Sequence, residues 1–127
     1  MPIVVTRDDQ RRRFLAVASE RLDVHDLMGL GPYLIGTYRS YGMTLDIRAA
    51  MVAFTPDDLQ GIREAGIRRQ QADGPRGRLA IVADDEHLLA IAHAYAAEAV
   101  RIGLPPVGVF PTLENADAWL DQVAVTR

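Results

Sequence analysis

Residues 77–100 read GRLAIVADDEHLLAIAHAYAAEAV, and residues 107–120 read VGVFPTLENADAWL. The run LAIVA is apolar at consecutive positions, which predicts a buried strand. Asp84 and Asp85 end this strand, and either can cap a helix of roughly Glu86 to Ile102 whose apolar residues recur at helical spacing. A short strand and a helix that begins after a threonine follow. This part of the chain therefore predicts two successive strand–helix units.

The amino-terminal segment predicts a β-hairpin. Ile3–Thr6 and Phe14–Ala18 are apolar runs, and polar, turn-like residues connect them over a short distance. Two strands that are joined so closely are antiparallel. The second run is apolar at consecutive positions, which favours an interior strand covered on both faces.

Between the hairpin and the closing units, the pattern alternates between helix and strand. Val24 to Tyr41 carries apolar residues at helical spacing after Asp23, a suitable cap, and we expect this helix to bend or restart near Pro32. Met43–Ala50 alternates as a strand does. Thr55 then begins a second helix, because it is a capping residue followed by proline and two carboxylates.

The complete order is strand, strand, helix, strand, helix, strand, helix, strand, helix. Strands that are connected through helices run parallel, with right-handed crossovers. We therefore predict a single α/β domain over residues 1–127.

Composition excludes several classes of function. The 127 residues are 49% apolar and 24% charged, with a net charge of −3 and no cysteine, which excludes disulfides, thiol nucleophiles and cysteine-based zinc sites. Positive charge is concentrated only at Arg11–Arg13, which we interpret as a solvated turn and the exposed start of a strand, so nucleic-acid binding is not expected. No run reaches the roughly 18 apolar residues of a membrane helix, and no signal-peptide pattern is present, so we expect a cytoplasmic protein.

Asp84, Asp85 and His87 are the strongest candidates for chemistry, because they lie at the carboxyl end of a strand, where open α/β sheets place ligands. Such residues can bind a metal ion or perform acid–base catalysis. They can equally cap the following helix and interact with its dipole, and His87 lies six residues from His93, which is not the spacing of a helical metal pair. The sequence has no glycine-rich phosphate loop and no serine nucleophile motif, so we expect no cofactor and no catalytic residues.

Two further sets of residues are candidates for binding. Thr55 lies just after the strand that carries Asp46, at a helix start where a phosphate would gain from free amides; the alternative is a simple helix cap. Tyr33, Tyr38 and Tyr41 lie at helical spacings, where such residues form a core, line a pocket or make a surface for a ligand or partner.

The closing sequence resembles the small bacterial SpoIIAA-like proteins of the STAS superfamily. That family shows a strand ending in an acidic pair, a long alanine-rich helix, a short strand ending near phenylalanine and an A-x-x-W-L helix; Phe110, Ala116, Trp119 and Leu120 match this ending. The middle segment LDIRAAMVAFTPDDLQGI (residues 45–62) resembles the family's strand, loop and helix start. The resemblance implies a mixed, mainly parallel five-stranded sheet with about four helices.

The resemblance also implies a regulatory role, with one departure. Anti-sigma-factor antagonists of this family are phosphorylated on a serine in an Asp-Ser-Ser-Gly turn at the second helix start, where this chain has Ala53-Phe54-Thr55-Pro56-Asp57-Asp58. Only Thr55 can stand in as the phospho-acceptor of that switch turn, with Asp46 on the preceding strand.

Three functions are compatible with these residues. The first, which we expect, is a non-catalytic module that acts through contact with a protein partner and forms a homodimer. The second is a small-molecule or lipid-binding domain, in which the interruption Gly29-Leu30-Gly31-Pro32 lets the first helix open beside the sheet. The third is a hydrolase or metal-dependent enzyme that uses Asp84, Asp85 and His87.

Overall fold

The computed structural model describes residues 2–34, 36–52, 54–74 and 77–125. Its strands and helices are β1 (Ile3–Asp8), β2 (Arg13–Leu22), α1 (Val24–Met28), β3 (Gly42–Val52), α2 (Pro56–Asp73), β4 (Leu79–Val82), α3 (Glu86–Arg101), β5 (Val107–Phe110) and α4 (Leu113–Val125). This is the order predicted from the sequence. Within the described ranges, no helix is both long enough and apolar enough to cross a bilayer.

The five strands form one sheet in the order β1-β2-β3-β4-β5, so that every strand lies beside its neighbours in the chain. β1 and β2 are antiparallel, with Ile3 opposite Ala18 and Asp8 opposite Arg13. The other neighbouring pairs are parallel, because helical crossovers connect them. The α/β class and the mixed, mainly parallel sheet are therefore confirmed.

The helices begin at side chains that the sequence predicts as caps. The Thr55 hydroxyl accepts a hydrogen bond from the Asp58 amide at 3.1 Å, and the Asp58 carboxylate accepts one from the Thr55 amide at 3.0 Å. Asp85, and not Asp84, caps α3 by accepting from the Leu88 amide at 2.8 Å. These bonds satisfy amides that have no partner within the first helical turn.

The interruption predicted near Pro32 is confirmed, but the α-helix predicted over Val24 to Tyr41 is wrong beyond its first turn. α1 ends at Met28, and two short 3₁₀ turns, Gly31–Leu34 and Gly36–Tyr38, occupy much of the remaining segment. The proline in this segment has no amide hydrogen for a helical hydrogen bond, and Gly36 has a φ of 61°, a left-handed conformation that does not continue a helix. Local backbone chemistry therefore outweighs the helical spacing of the apolar residues.

The helices cover the two faces of the sheet unequally. α1 and α3 contribute to the main core, which contains Phe14, Ala16, Ala18, Leu22, Met43, Leu45, Ile47, Ile81 and Leu88. On the opposite face, α4 packs against β4 through the small cluster Ala80, Val82, Ala116 and Leu120.

The face that α4 covers is open above β1 and part of β2. Val4 is 59% exposed, and its cross-strand neighbour Val17 is 38% exposed. β2 is an interior strand of the sheet, as predicted, but the prediction that both its faces are covered is wrong at Val17. The reason is that α4 lies over β3, β4 and β5, and a helix about 10 Å wide covers only two or three strands spaced about 4.8 Å apart.

Candidate functional site

The carboxyl ends of β3 and β4 bring together several polar residues that the sequence indicates. β4 ends beside Asp46, whereas β3 continues beyond it. The hydrogen bond to Asp46 is the main cause that raises the pKa of the Arg48 guanidinium, and the nearby charge of Asp84 raises it further. We call this region the carboxyl edge and define it by Asp46, Arg48, Asp84 and Asp85.

Asp46 supports a β-bulge in β3. The register shifts after Asp46, so that Ile47 and Arg48 together lie opposite the single residue Ala18 of β2. One oxygen of the Asp46 carboxylate accepts from the Arg48 amide at 3.1 Å and from Nε at 3.0 Å, and the other accepts from Nη2 at 2.9 Å. Burial raises the pKa of this carboxyl group, but the hydrogen bonds from Arg48 outweigh burial and hold the pKa below its usual value. Both oxygens of Asp46 are thus engaged in shaping the strand.

Thr55 is exposed at the beginning of α2, where it caps the helix. Asp57 and Asp58 lie in the first turn, and their carboxylates already interact favourably with the positive end of the helix dipole. A phosphate on Thr55 would be repelled by these carboxylates and would disrupt the cap. The geometry supports the capping role, and phosphorylation of Thr55 stays a prediction.

Asp84, Asp85 and His87 are all exposed, and Asp85 caps α3. Among the residues that the structure describes, no three histidine, aspartate or glutamate side chains are placed to hold one metal ion. What the structure shows at Asp84, Asp85 and His87 is a capped helix end.

The three tyrosines lie at the amino end of β3, around Phe14. The ring centroids of Tyr33, Tyr38 and Tyr41 are 5.7, 5.7 and 5.5 Å from that of Phe14. Tyr41 is buried, and its hydroxyl donates to the Asp9 carboxylate at 2.8 Å, which raises the pKa of Tyr41. The predicted ligand or partner surface is therefore divided, with the tyrosines at one end of the parallel strands and the acidic residues with His87 at the other.

An ion-pair network that the sequence analysis missed connects the hairpin to α4. Arg13 is 7% exposed, and its guanidinium donates to Asp117 at 3.1 Å and also to Asp121. Arg11 donates to both oxygens of Asp121 at 3.1 Å, and the hydrogen bond from Arg13 is the main cause that lowers the pKa of Asp121. The interpretation of Arg11–Arg13 as solvated is wrong for Arg13, because its acidic partners lie 104 and 108 residues further along the chain.

An apolar cavity of about 260 Å³ lies between α2 and the sheet. Met43, Leu45 and Ile81 form part of its wall on the sheet, and Leu59 and Ile62 form part of its wall on α2. In α2, no side chain that the structure describes is fully buried, so the helix does not fill the space beneath it. Protein interiors are packed as densely as organic crystals, and an apolar space of this size is a candidate ligand site.

The cavity is also lined by the segment in which the predicted first helix is broken. Leu27, Leu30 and Gly31 contribute to its wall, together with the polar side chains of Arg69 and Gln70 from α2. Gln70 donates to a backbone carbonyl at 3.2 Å, but its Oε1 is buried and has no hydrogen-bond partner among the described residues. The breakdown of the helix therefore contributes directly to the shape of this cavity.

β2 and β3 extend together beyond β4 as a two-stranded ribbon, formed by Ser19–Leu22 and Ala49–Val52. Because β4 ends beside Asp46, the outer edge of this part of β3 has no strand partner among the described residues. Met51 is 69% exposed on the ribbon. Exposed apolar residues beside an unpaired strand edge are typical of surfaces that bind another chain. The alternating pattern of β3 predicts a strand but does not show where its neighbour ends.

Two solved structures are similar to this chain. An anti-sigma factor antagonist from Mycobacterium paratuberculosis has a TM-score of 0.61 and 14% identity, covering 94% of this chain and 92% of that chain. An uncharacterised DUF3478-family protein with a SpoIIAA-like fold, from Shewanella loihica PV-4, has a TM-score of 0.58 and 16% identity, covering 93% and 91%. No protein-family model and no curated protein sequence matches the chain. The five-stranded sheet and its helices therefore have the SpoIIAA-like fold.

Proposed function

We propose that the chain is a non-catalytic regulatory module that binds a protein partner through the two-stranded ribbon at the carboxyl edge. The observation that carries this proposal is the exposed Met51 in the stretch of β3 whose outer edge has no strand partner among the described residues. One similar structure is described as an anti-sigma factor antagonist, and that likeness, at 14% identity, bears on the fold. The ribbon itself is the feature that supports binding.

The ribbon has the features needed for strand addition. An extended segment of the partner can form backbone hydrogen bonds along the open edge of β3, and Met51 supplies an apolar contact beside it. Methionine adapts to irregular apolar surfaces because its side chain is unbranched and flexible. The bulge at Asp46 bends β3 just before the ribbon, and the Arg48 side chain holds that bend through its hydrogen bonds.

The substitution Met51→Ser tests this proposal, with Val100→Ser as the matched control. Val100 is 70% exposed, on α3, so both changes replace an equally exposed apolar side chain. We expect Met51→Ser to reduce recovery of the partner in quantitative affinity capture about tenfold or more, as at a binding hot spot, and Val100→Ser to leave it unchanged. Equal recovery with both variants, or no specific partner with the unchanged chain, would reject the proposal.

We further propose that the module is a cytoplasmic homodimer, as expected from the sequence. Sedimentation velocity at micromolar concentration measures the mass directly. A species of twice the chain mass of 14.0 kDa supports the dimer. A single species at the chain mass would remove it, without affecting the proposal for the ribbon.

A second candidate function is the binding of a small apolar molecule in the cavity beneath α2. The observation that favours it is the volume of about 260 Å³ with a predominantly apolar lining. An engineered apolar cavity of about 150 Å³ is already large enough to bind benzene. Native mass spectrometry of the purified chain, and titration with a neutral probe such as decanol, test this function; absence of both a carried ligand and decanol binding would reject it.

A further inference from the structure

We propose that the natural ligand of the cavity is a single-chain carboxylate, of the fatty-acid class, whose acyl chain lies between α2 and the sheet and whose carboxylate pairs with Arg69. This inference rests on the second candidate function and specifies its ligand. The space is large enough for an acyl chain, because its volume of about 260 Å³ exceeds the about 150 Å³ of an apolar cavity that binds benzene.

Arg69 supplies the charge that selects an anion. It is half-buried, lines the cavity, and forms no ion pair with any residue that the structure describes. Arg63, six residues earlier on the same helix, is instead paired with Glu98 at 3.5 Å. A guanidinium that lies beside an apolar cavity and has no carboxylate partner can form a hydrogen-bonded ion pair with the carboxylate of a ligand.

The guanidinium of Arg69 lies against the backbone at Gly31. A Cβ atom added at Gly31 would lie 2.7 Å from both Cζ and Nε of Arg69. A side chain at position 31 would therefore displace the guanidinium, and glycine leaves the space in which it rests. The broken segment after α1 thus contributes both apolar wall and the space that the cation occupies.

Calorimetric titration of the full chain with hexanoate, octanoate and decanoate tests the acyl chain. Each buried methylene contributes a constant increment to binding, so we expect Kd to fall about fourfold for each added methylene until the cavity is full. A dissociation constant independent of chain length would overturn the proposal. Preferential binding to vesicles of a two-chain phospholipid, without binding of the free carboxylates, would also overturn it.

The substitutions Arg69→Gln and Arg68→Gln test the headgroup, because Arg68 is an exposed neighbour on the same helix. We expect Arg69→Gln to weaken decanoate binding about tenfold or more and to leave decanol binding unchanged, and Arg68→Gln to change neither. Equal decanoate affinity in both variants, or binding of decanol but not of decanoate, would reject the carboxylate while the apolar site stands. Failure of both probes would reject the site as well. Circular dichroism of each variant verifies that it is folded.

Discussion

The substitution Ala65→Leu fills the cavity beneath α2 from the helix side. Ala65 lines the cavity and is half-buried. Leucine adds three carbon atoms, and at about 0.8 kcal/mol for each buried carbon, complete burial would raise the free energy of unfolding by about 2.4 kcal/mol. Because the position is only half-buried, we expect a gain of about 1 kcal/mol. Leucine and alanine have similar helix propensities, so the stability of the helix itself changes little.

Urea and thermal unfolding, followed by circular dichroism, measure this gain. For a domain of this length, a gain of about 1 kcal/mol raises Tm by about 3–6 °C. Ala72→Leu is the matched control, because Ala72 is exposed on the same helix. The control is expected to stay within about 0.5 kcal/mol of the unchanged chain.

A free energy of unfolding lowered by about 1 kcal/mol or more in Ala65→Leu, and unchanged in Ala72→Leu, would contradict this expectation. That result would mean that the space is already closely packed and that leucine strains it. The stabilised variant should also bind decanoate more weakly, because the new side chain occupies part of the volume that the acyl chain needs.

Three further outcomes follow from particular residues, and urea unfolding measures each. Gly77→Ala is expected to lower the free energy of unfolding by about 1–3 kcal/mol, because the added Cβ would collide with the backbone carbonyl of Tyr41. Gly61→Ala should instead raise the free energy of unfolding by about 0.5–1 kcal/mol, because the nearest atom to its added Cβ is 3.8 Å away. Thr55→Ala should lose about 1 kcal/mol and Thr55→Ser should recover most of it, because the hydroxyl oxygen caps α2. The pKa of Asp46 is lowered in the folded state. The contribution of its carboxylate to the free energy of unfolding is therefore complete above the unfolded pKa of about 3.9, and it is lost as the pH falls through the pKa of the folded state. Asp46→Asn should make the free energy of unfolding depend less on pH below about pH 4. Equal losses in the two glycine variants, a serine variant as unstable as the alanine variant, or an unchanged acid slope would contradict these expectations.

Elements that depend on local chemistry could be predicted from the sequence. The caps Thr55 and Asp85 act on amides within their own first helical turn, so neighbouring residues contain the whole signal. The parallel direction of β2 to β5 follows in the same way, because each helical crossover returns the chain in the same direction.

Features that depend on distant parts of the chain could not be predicted in this way. The burial of Arg13 requires Asp117 and Asp121 on the last helix, and no pattern near residue 13 indicates them. The cavity exists because α2 stands off the sheet, and apolar spacing in a helix does not reveal how closely the helix packs. The error at Val24 to Tyr41 has a different origin, since periodicity was outweighed there by glycine and proline.

The sequential strand order allows the sheet to assemble one strand at a time as the chain leaves the ribosome. The hairpin can pair first, and each later strand adds to an edge that already exists, so no finished pair has to part to admit another strand. The exception to this stepwise order is Arg13, which is nearly buried near the beginning of the chain and meets its acidic partners only when α4 docks. A nascent chain that stops short of Asp117 leaves that charge unneutralised. The last helix therefore supplies both of these carboxylate partners of a residue near the beginning of the chain.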